Sequence, residues 1–158
     1  MNLSFKLNGK PVAMECEAQR TLAEVLRDHF NLTGTKISCE VQVCGACTVL
    51  LDELPVSACT LLAYEVRDRN VLTIEGLARQ DGTLHPIQEA FIKEFAFQCG
   101  FCTPGMILSA MALLFENPEP TEADIIHYMD GNICRCTGYV PIVRAIKRAA
   151  DHMKENKK

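Results

Sequence analysis

Eight of the nine cysteines in this 158-residue chain fall into two sets of four. The first set is Cys39, Cys44, Cys47 and Cys59, and the second is Cys99, Cys102, Cys134 and Cys136. Thiolates are soft, anionic donors, so four of them brought together hold a metal ion or a metal–sulfur cluster. Zinc also takes four thiolates, commonly through C-x2-C units, whereas disulfides would use the cysteines two at a time. Disulfides are the weakest of the three readings in a reducing compartment. The opening "MNLSFKLNGK" lacks the apolar stretch of a secretory leader, so a cytoplasmic chain is expected. Cysteine usage of this kind reads as metal binding rather than covalent stapling.

Cys39, Cys44 and Cys47 follow C-x4-C-x2-C, the plant-type [2Fe–2S] spacing rather than that of paired zinc knuckles. Gly45 and Ala46 have little or no side chain, so the backbone can wrap an anionic centre and aim amide N–H groups at it. In the second set, Cys102 immediately precedes Thr103-Pro104, which read as the N-cap and first-turn proline of a helix. A helix N-terminus offers free amides and partial positive charge to an anion. Cys134 and Cys136 follow a helix end at Gly131, so both cysteine pairs lie on connections that helix packing could bring together. Arg135 between them offsets part of the negative charge. Spacing alone favours iron–sulfur for the first set and leaves zinc open for the second.

The remaining candidates have structural readings. Cys16 lies in a strand pattern with Val12 and Met14 and is expected to be a small core side chain. His29, His85, His127 and His152 lack partners at metal-ligand spacing and read as structural or surface groups. The methionines of "GMILSAM" sit at helical spacing, as core residues do. No phosphate-binding loop, dinucleotide-binding glycine motif or nucleophile signature is visible in the sequence.

The elements that must position these sulfurs divide the chain. Residues 2–16 alternate apolar and polar on both sides of Asn8-Gly9, which predicts a β-hairpin. "TLAEVLRDHF" predicts a helix with a Thr21–Glu24 capping box, an apolar face of Leu22, Val25, Leu26 and Phe30, and a stop at Gly34. A second hairpin turns at Asp52-Glu53, and "NVLTIEG" supplies another strand. Parallel neighbours are expected because a helix separates the strand groups. After a polar linker, helices are predicted from Pro86 (with Ile87, Ala90, Phe91 and Phe95 inward), from Thr103 to about Glu116, from Thr121 to Gly131, and from about Pro141 to Met153. The expected organisation is α+β: a sheet-rich domain over 1–76, a linker over 77–85 and a four-helix bundle over 86–158. The final "KENKK" reads as a solvated tail.

Bulk properties exclude some classes. A net charge of −4 without a basic block argues against nucleic-acid binding. The longest apolar run, "MILSAMALLF", is about half of what crosses a bilayer, so no membrane association is expected.

The segments "GTKISCEVQVCGACTV", "QCGFCTPGM" and "GNICRCTGY" closely resemble the iron–sulfur subunit or domain of the molybdenum hydroxylases, the xanthine oxidase family. The resemblance spans essentially the whole chain. It implies a plant-ferredoxin-like β-grasp domain followed by a four-helix bundle, each with one [2Fe–2S] cluster. By its motifs, Cys39, Cys44, Cys47 and Cys59 hold a cluster facing a medium FAD-binding subunit. Cys99, Cys102, Cys134 and Cys136 hold another beside the molybdopterin of a large subunit. Gln98 and Cys136 match positions that contact the pterin in similar proteins. The implied function is an electron-transfer subunit, without a substrate site of its own, in a heterotrimer or dimer of heterotrimers. Rival readings are a stand-alone ferredoxin-like carrier and a zinc-stabilised interaction module. Ser38 and Gln42 depart from the commonest family loop, which has glycine at both positions. Four thiolates and two sulfides around two ferric ions give about −2 per site, so the loaded chain would carry about −8.

Overall fold

The computed structural model describes residues 1–155; the end of the expected tail, residues 156–158, lies outside the described residues. Strands β1 (Asn2–Leu7) and β2 (Lys10–Glu15) form the first hairpin. Its turn places Asn8 at φ 51° and Gly9 at φ 79°. Two successive left-handed residues make the turn whose twist matches paired strands. The second hairpin, β3 (Thr48–Leu51) and β4 (Leu54–Ser57), turns the same way, with Asp52 and Glu53 at φ 49° and 71°. With β5 (Asn70–Leu72), these strands form one mixed sheet in the order β2-β1-β5-β3-β4. β1 and β5 run parallel, as expected for strands far apart in the chain, and the other pairs are antiparallel.

Thr21 caps α1 (Leu22–Glu24) through a complete capping box with Glu24. The helix then widens to a π turn over Val25–His29, where the Phe30 amide donates to the Val25 carbonyl at 3.3 Å. Asn31, at φ 55°, ends it three residues before the expected stop. Asn tolerates the left-handed region better than most side chains. Gly34 instead permits a close approach, because a Cβ there would overlap Ile74 and Glu75.

The second half carries α2 (Pro86–Lys93), α3 (Thr103–Glu116), α4 (Glu122–Tyr128) and α5 (Val140–Glu155). Ile142, Ala145, Ile146 and Ala149 of α5 are buried, as their helical spacing requires. α5 packs against α2 and α4. The N-cap of α2 is His85, whose Nδ1 accepts from the Ile87 amide at 3.3 Å. Phe95 departs from expectation: it lies past the end of α2 at φ 51°, with 81% of its surface exposed. Among the described residues no helix is long and apolar enough to cross a membrane.

α3 and β3 join the two halves. On one face of the sheet, Leu3, Phe5, Leu7, Val49, Leu51 and Val71 pack with Leu22, Val25 and Leu26. Leu50 points to the other face and belongs to the helical core with Ile107, Leu108 and Met111 of α3. β3 is therefore buried on both sides, which explains why all four residues of "TVLL" are buried and Val49, Leu50 and Leu51 are apolar without alternation. Leu50 is 1% exposed, and its truncation would leave a cavity against α3. Leu50→Ala should therefore lower stability by ~2–5 kcal/mol, read as a reduced denaturant midpoint for the whole chain.

Candidate functional site

Each thiol set is assembled from a loop and a more distant contributor. Cys39 and Cys44 lie on the loop after α1, Cys47 just before β3, and Cys59 just past the end of β4. Their side chains meet in pairs, Cys39 with Cys44 and Cys47 with Cys59, and Cys44 is near enough to Cys47 to act on its charge. In the second set, Cys102 meets Cys134, and Cys136 lies 3.6 Å from Cys99 between sulfurs. Two thiolates on one tetrahedral metal at ~2.3 Å from each sulfur stand ~3.7 Å apart, so the observed spacing suits two ligands of one ion. Among the described residues no three His, Cys, Asp or Glu side chains converge as a single-ion site. The thiols instead form four pairs, the arrangement that two centres of two metals each require.

Exposure divides each set the same way. Cys47, Cys59 and Cys134 are buried and Cys102 is half-buried; Cys39 and Cys44 are half-buried, and Cys99 and Cys136 are exposed. Each quartet thus has an inner pair and an outer pair. Burial pushes the Cys47 thiol up to about 11 and the Cys102 thiol up to about 12. On the outer side, amides of Val41, Val43 and Cys44 hold Cys39 down at about 6. The Val43 amide donates to the Cys39 sulfur at 3.4 Å. Burial also acts on Cys134, but the Thr137 hydroxyl, donating to its sulfur at 3.2 Å, helps bring it below the ordinary thiol value. Metal binding must displace the Cys47 and Cys102 protons, so loading couples to proton release.

The backbone conformations that make these loops are costly ones. Glu40 and Gln42, at φ 57° and 61°, alternate with Val41 and Val43. Such alternation turns successive amides to one side and forms an anion-binding concavity. α3 begins with Cys102 as its N-cap, one residue earlier than expected. Thr103 is therefore inside the helix, and its buried hydroxyl has no hydrogen-bond partner among the described groups. An orphaned hydroxyl beside Cys102 fits a bound sulfur-rich group that supplies the missing acceptor.

The two quartets are tied together by backbone. The Ile133 amide donates to the Cys44 carbonyl at 2.9 Å, and Asn132 Nδ2 donates to the Gly45 carbonyl at 3.1 Å. A Cβ on Gly105 would overlap the Gly45 carbonyl, and one on Gly45, at φ 67°, would overlap Asn132 and Gly131. Behind the second set, the Cys134 amide donates to the Tyr139 hydroxyl at 2.9 Å. Gln98 Nε2 donates to the Cys136 carbonyl at 2.9 Å, so the two expected pterin-contact residues adjoin each other on an exposed face. Arg135 is exposed on the same loop. Sequence reasoning missed Gly105, Asn132, Thr137 and Tyr139. Asn132 and Thr137 flank the cysteines, but spacing gives no sign of the hydrogen bonds they make. A groove of about 1170 Å³ between α2, α4 and α5 is lined by no cysteine.

Comparison with known proteins agrees with this two-centre geometry. Residues 5–78 match the family described as 2Fe-2S iron-sulfur cluster binding domain, and residues 73–147 match the [2Fe-2S] binding domain. The nicotine 6-hydroxylase small subunit of Paenarthrobacter nicotinovorans is 45% identical over 146 residues, 92% of this chain and 87% of that one. The nicotinate dehydrogenase small FeS subunit of Eubacterium barkeri is 42% identical over 151 residues, 96% of each chain. A chain of quinoline 2-oxidoreductase from Pseudomonas putida 86 superposes with a TM-score of 0.94 at 41% identity, over 100% of this chain and 98% of that one.

The close approach at Gly105 can be tested without touching a cysteine. Gly105→Ala should force α3 away from the first loop and cost ~1–3 kcal/mol. Iron retained per chain should fall together with the denaturant midpoint.

Proposed function

The chain belongs to the iron–sulfur subunits of the molybdenum hydroxylase family, and from that premise we propose that it relays electrons one at a time between two partner subunits. It is a component of an oxidoreductase complex and carries two [2Fe–2S]-binding regions. In this reading Cys39, Cys44, Cys47 and Cys59 hold one centre, and Cys99, Cys102, Cys134 and Cys136 hold the other. The β-grasp fold over 1–76, the linker over 77–85 and the bundle over 86–158 supply the frame. Each [2Fe–2S] centre, when bound, takes up and gives up a single electron.

The observation that carries the relay is the hydrogen bond from the Ile133 amide to the Cys44 carbonyl at 2.9 Å. Cys44 would hold the first centre, and Ile133 is the chain neighbour of Cys134, which would hold the second. A short backbone route therefore connects one quartet to the other. The outer pair Cys99 and Cys136 is exposed beside Gln98, which supports docking of that face on a large molybdopterin-binding subunit. The outer pair of the first quartet would then serve a medium FAD-binding subunit. Gln98 and Cys136 would contact the pterin, Gln98 while also bracing the Cys136 loop. Such a complex is a heterotrimer or a dimer of heterotrimers, read as cytoplasmic, in which substrate selection belongs to the large subunit.

The chain's own residues keep the transferred charge in place. Amides of Val41, Val43 and Cys44 face Cys39, and Thr137 faces Cys134. These dipoles favour the added negative charge of a reduced centre.

Two experiments on the purified complex test the reading. Cys47→Ser should alter one of two distinct reduced [2Fe–2S] EPR signals and Cys102→Ser the other; changes in the same signal would break the partition into two quartets. Gln98→Ala should retain iron at the unsubstituted ratio while turnover falls at least several-fold, and unchanged turnover would remove Gln98 from the site.

A further inference from the structure

We infer that Gln42 is a positioning residue for the first thiol quartet, acting as a side-chain clamp between its two ligand-bearing loops; this rests on the assignment of that quartet proposed above. Gln42 holds φ 61°, a conformation that glycine adopts without strain and a residue with a Cβ adopts at a cost. At an exposed loop tip glycine would meet the backbone requirement, so the side chain needs a separate reason. Its Oε1 accepts a hydrogen bond from the Thr60 hydroxyl at 3.2 Å. Thr60 follows Cys59 directly, and its hydroxyl also lies 3.3 Å from the Ser57 carbonyl at the end of β4.

The clamp joins segments that local structure leaves separate. On one side is the loop whose amides face Cys39, with Val41 and Val43 exposed on either side of Gln42. On the other is the turn that carries Cys59, eighteen residues away along the chain from Gln42 to Thr60. Cys39 belongs to the outer pair and Cys59 to the inner pair, so the bond spans the quartet from one metal position to the other. Gln42 and Thr60 also line a polar cleft with Ser57, Tyr128 and Asn132 that opens toward the second half. Releasing the clamp would let the loop tip swing from β4 and loosen the amide cradle.

Hydrogen bonds to cluster sulfurs and exposure set the potential of an iron–sulfur centre. A looser cradle stabilises the reduced, more negative form less well, so the potential should fall. The test is EPR-monitored potentiometry of the intact complex, with the second centre as internal control. Gln42→Gly keeps the left-handed backbone and removes only the clamp; Thr60→Val removes the donor. Each should lower the midpoint potential of the first centre and leave the second unmoved. The double substitution should shift it no further than either alone, because the two groups act as one unit. Thr60→Ser, which keeps the hydroxyl, should restore the original value. Additive shifts, equal movement of both centres, or an unmoved first centre would overturn the clamp while leaving the two-quartet assignment intact. A complex without two [2Fe–2S] signals before any substitution would overturn that assignment, and the clamp with it.

Discussion

The structure depends on a backbone-to-backbone contact between the loop at Cys44–Gly45 and the segments at Gly105 and Asn132–Ile133. Backbones approach this closely only where no Cβ intervenes, and here glycine stands on both sides. The contact is then secured by two hydrogen bonds, from the Ile133 amide and the Asn132 side chain, to consecutive carbonyls of the first loop. Through it the loops of the two quartets are tied together backbone to backbone. With it they share a frame, and Leu50 extends that frame by placing a sheet residue in the helical core.

Holding four thiols together is electrostatically unfavourable once they ionise, and the two sides of each quartet meet that cost differently. In each inner pair one cysteine, Cys47 or Cys102, is withdrawn from water, which favours its neutral thiol and leaves its ionisation to the arrival of the metal. On the outer side of the first quartet, amides in a left-handed loop conformation stabilise the Cys39 thiolate in advance. In the second quartet the corresponding support falls on the inner pair, where the N-terminus of α3 lies at Cys102 and the Thr137 hydroxyl at Cys134. The strained backbone at Glu40 and Gln42 is thus part of the binding chemistry, since the same φ values that cost energy aim the donors.

Much of the architecture was legible in local patterns. Asn8-Gly9 and Asp52-Glu53 each sit where period-2 alternation reverses, and both form the turns that paired strands need. Thr21–Glu24 forms the capping box its spacing announces, and Thr121 caps the helix expected to begin there. Errors arose where the deciding contact was distant. Gly34 looked like a helix stop, but its small size serves the approach of Ile74 and Glu75. Phe95 fitted the apolar spacing of α2, yet the helix ends at Lys93 and the chain turns it outward.

By itself the sequence determined the α+β class, the apolar faces and the two groups of four cysteines, because turn chemistry, periodicity and ligand spacing all act over a few residues. Only the tertiary structure decided how the thiols pair, which pair in each quartet faces inward, and where one loop touches the other. Those features depend on contacts between residues tens of positions apart, such as Gly45 with Gly105 and Cys44 with Ile133. Local spacing carries no record of such contacts; they exist only once α3 has packed on β3.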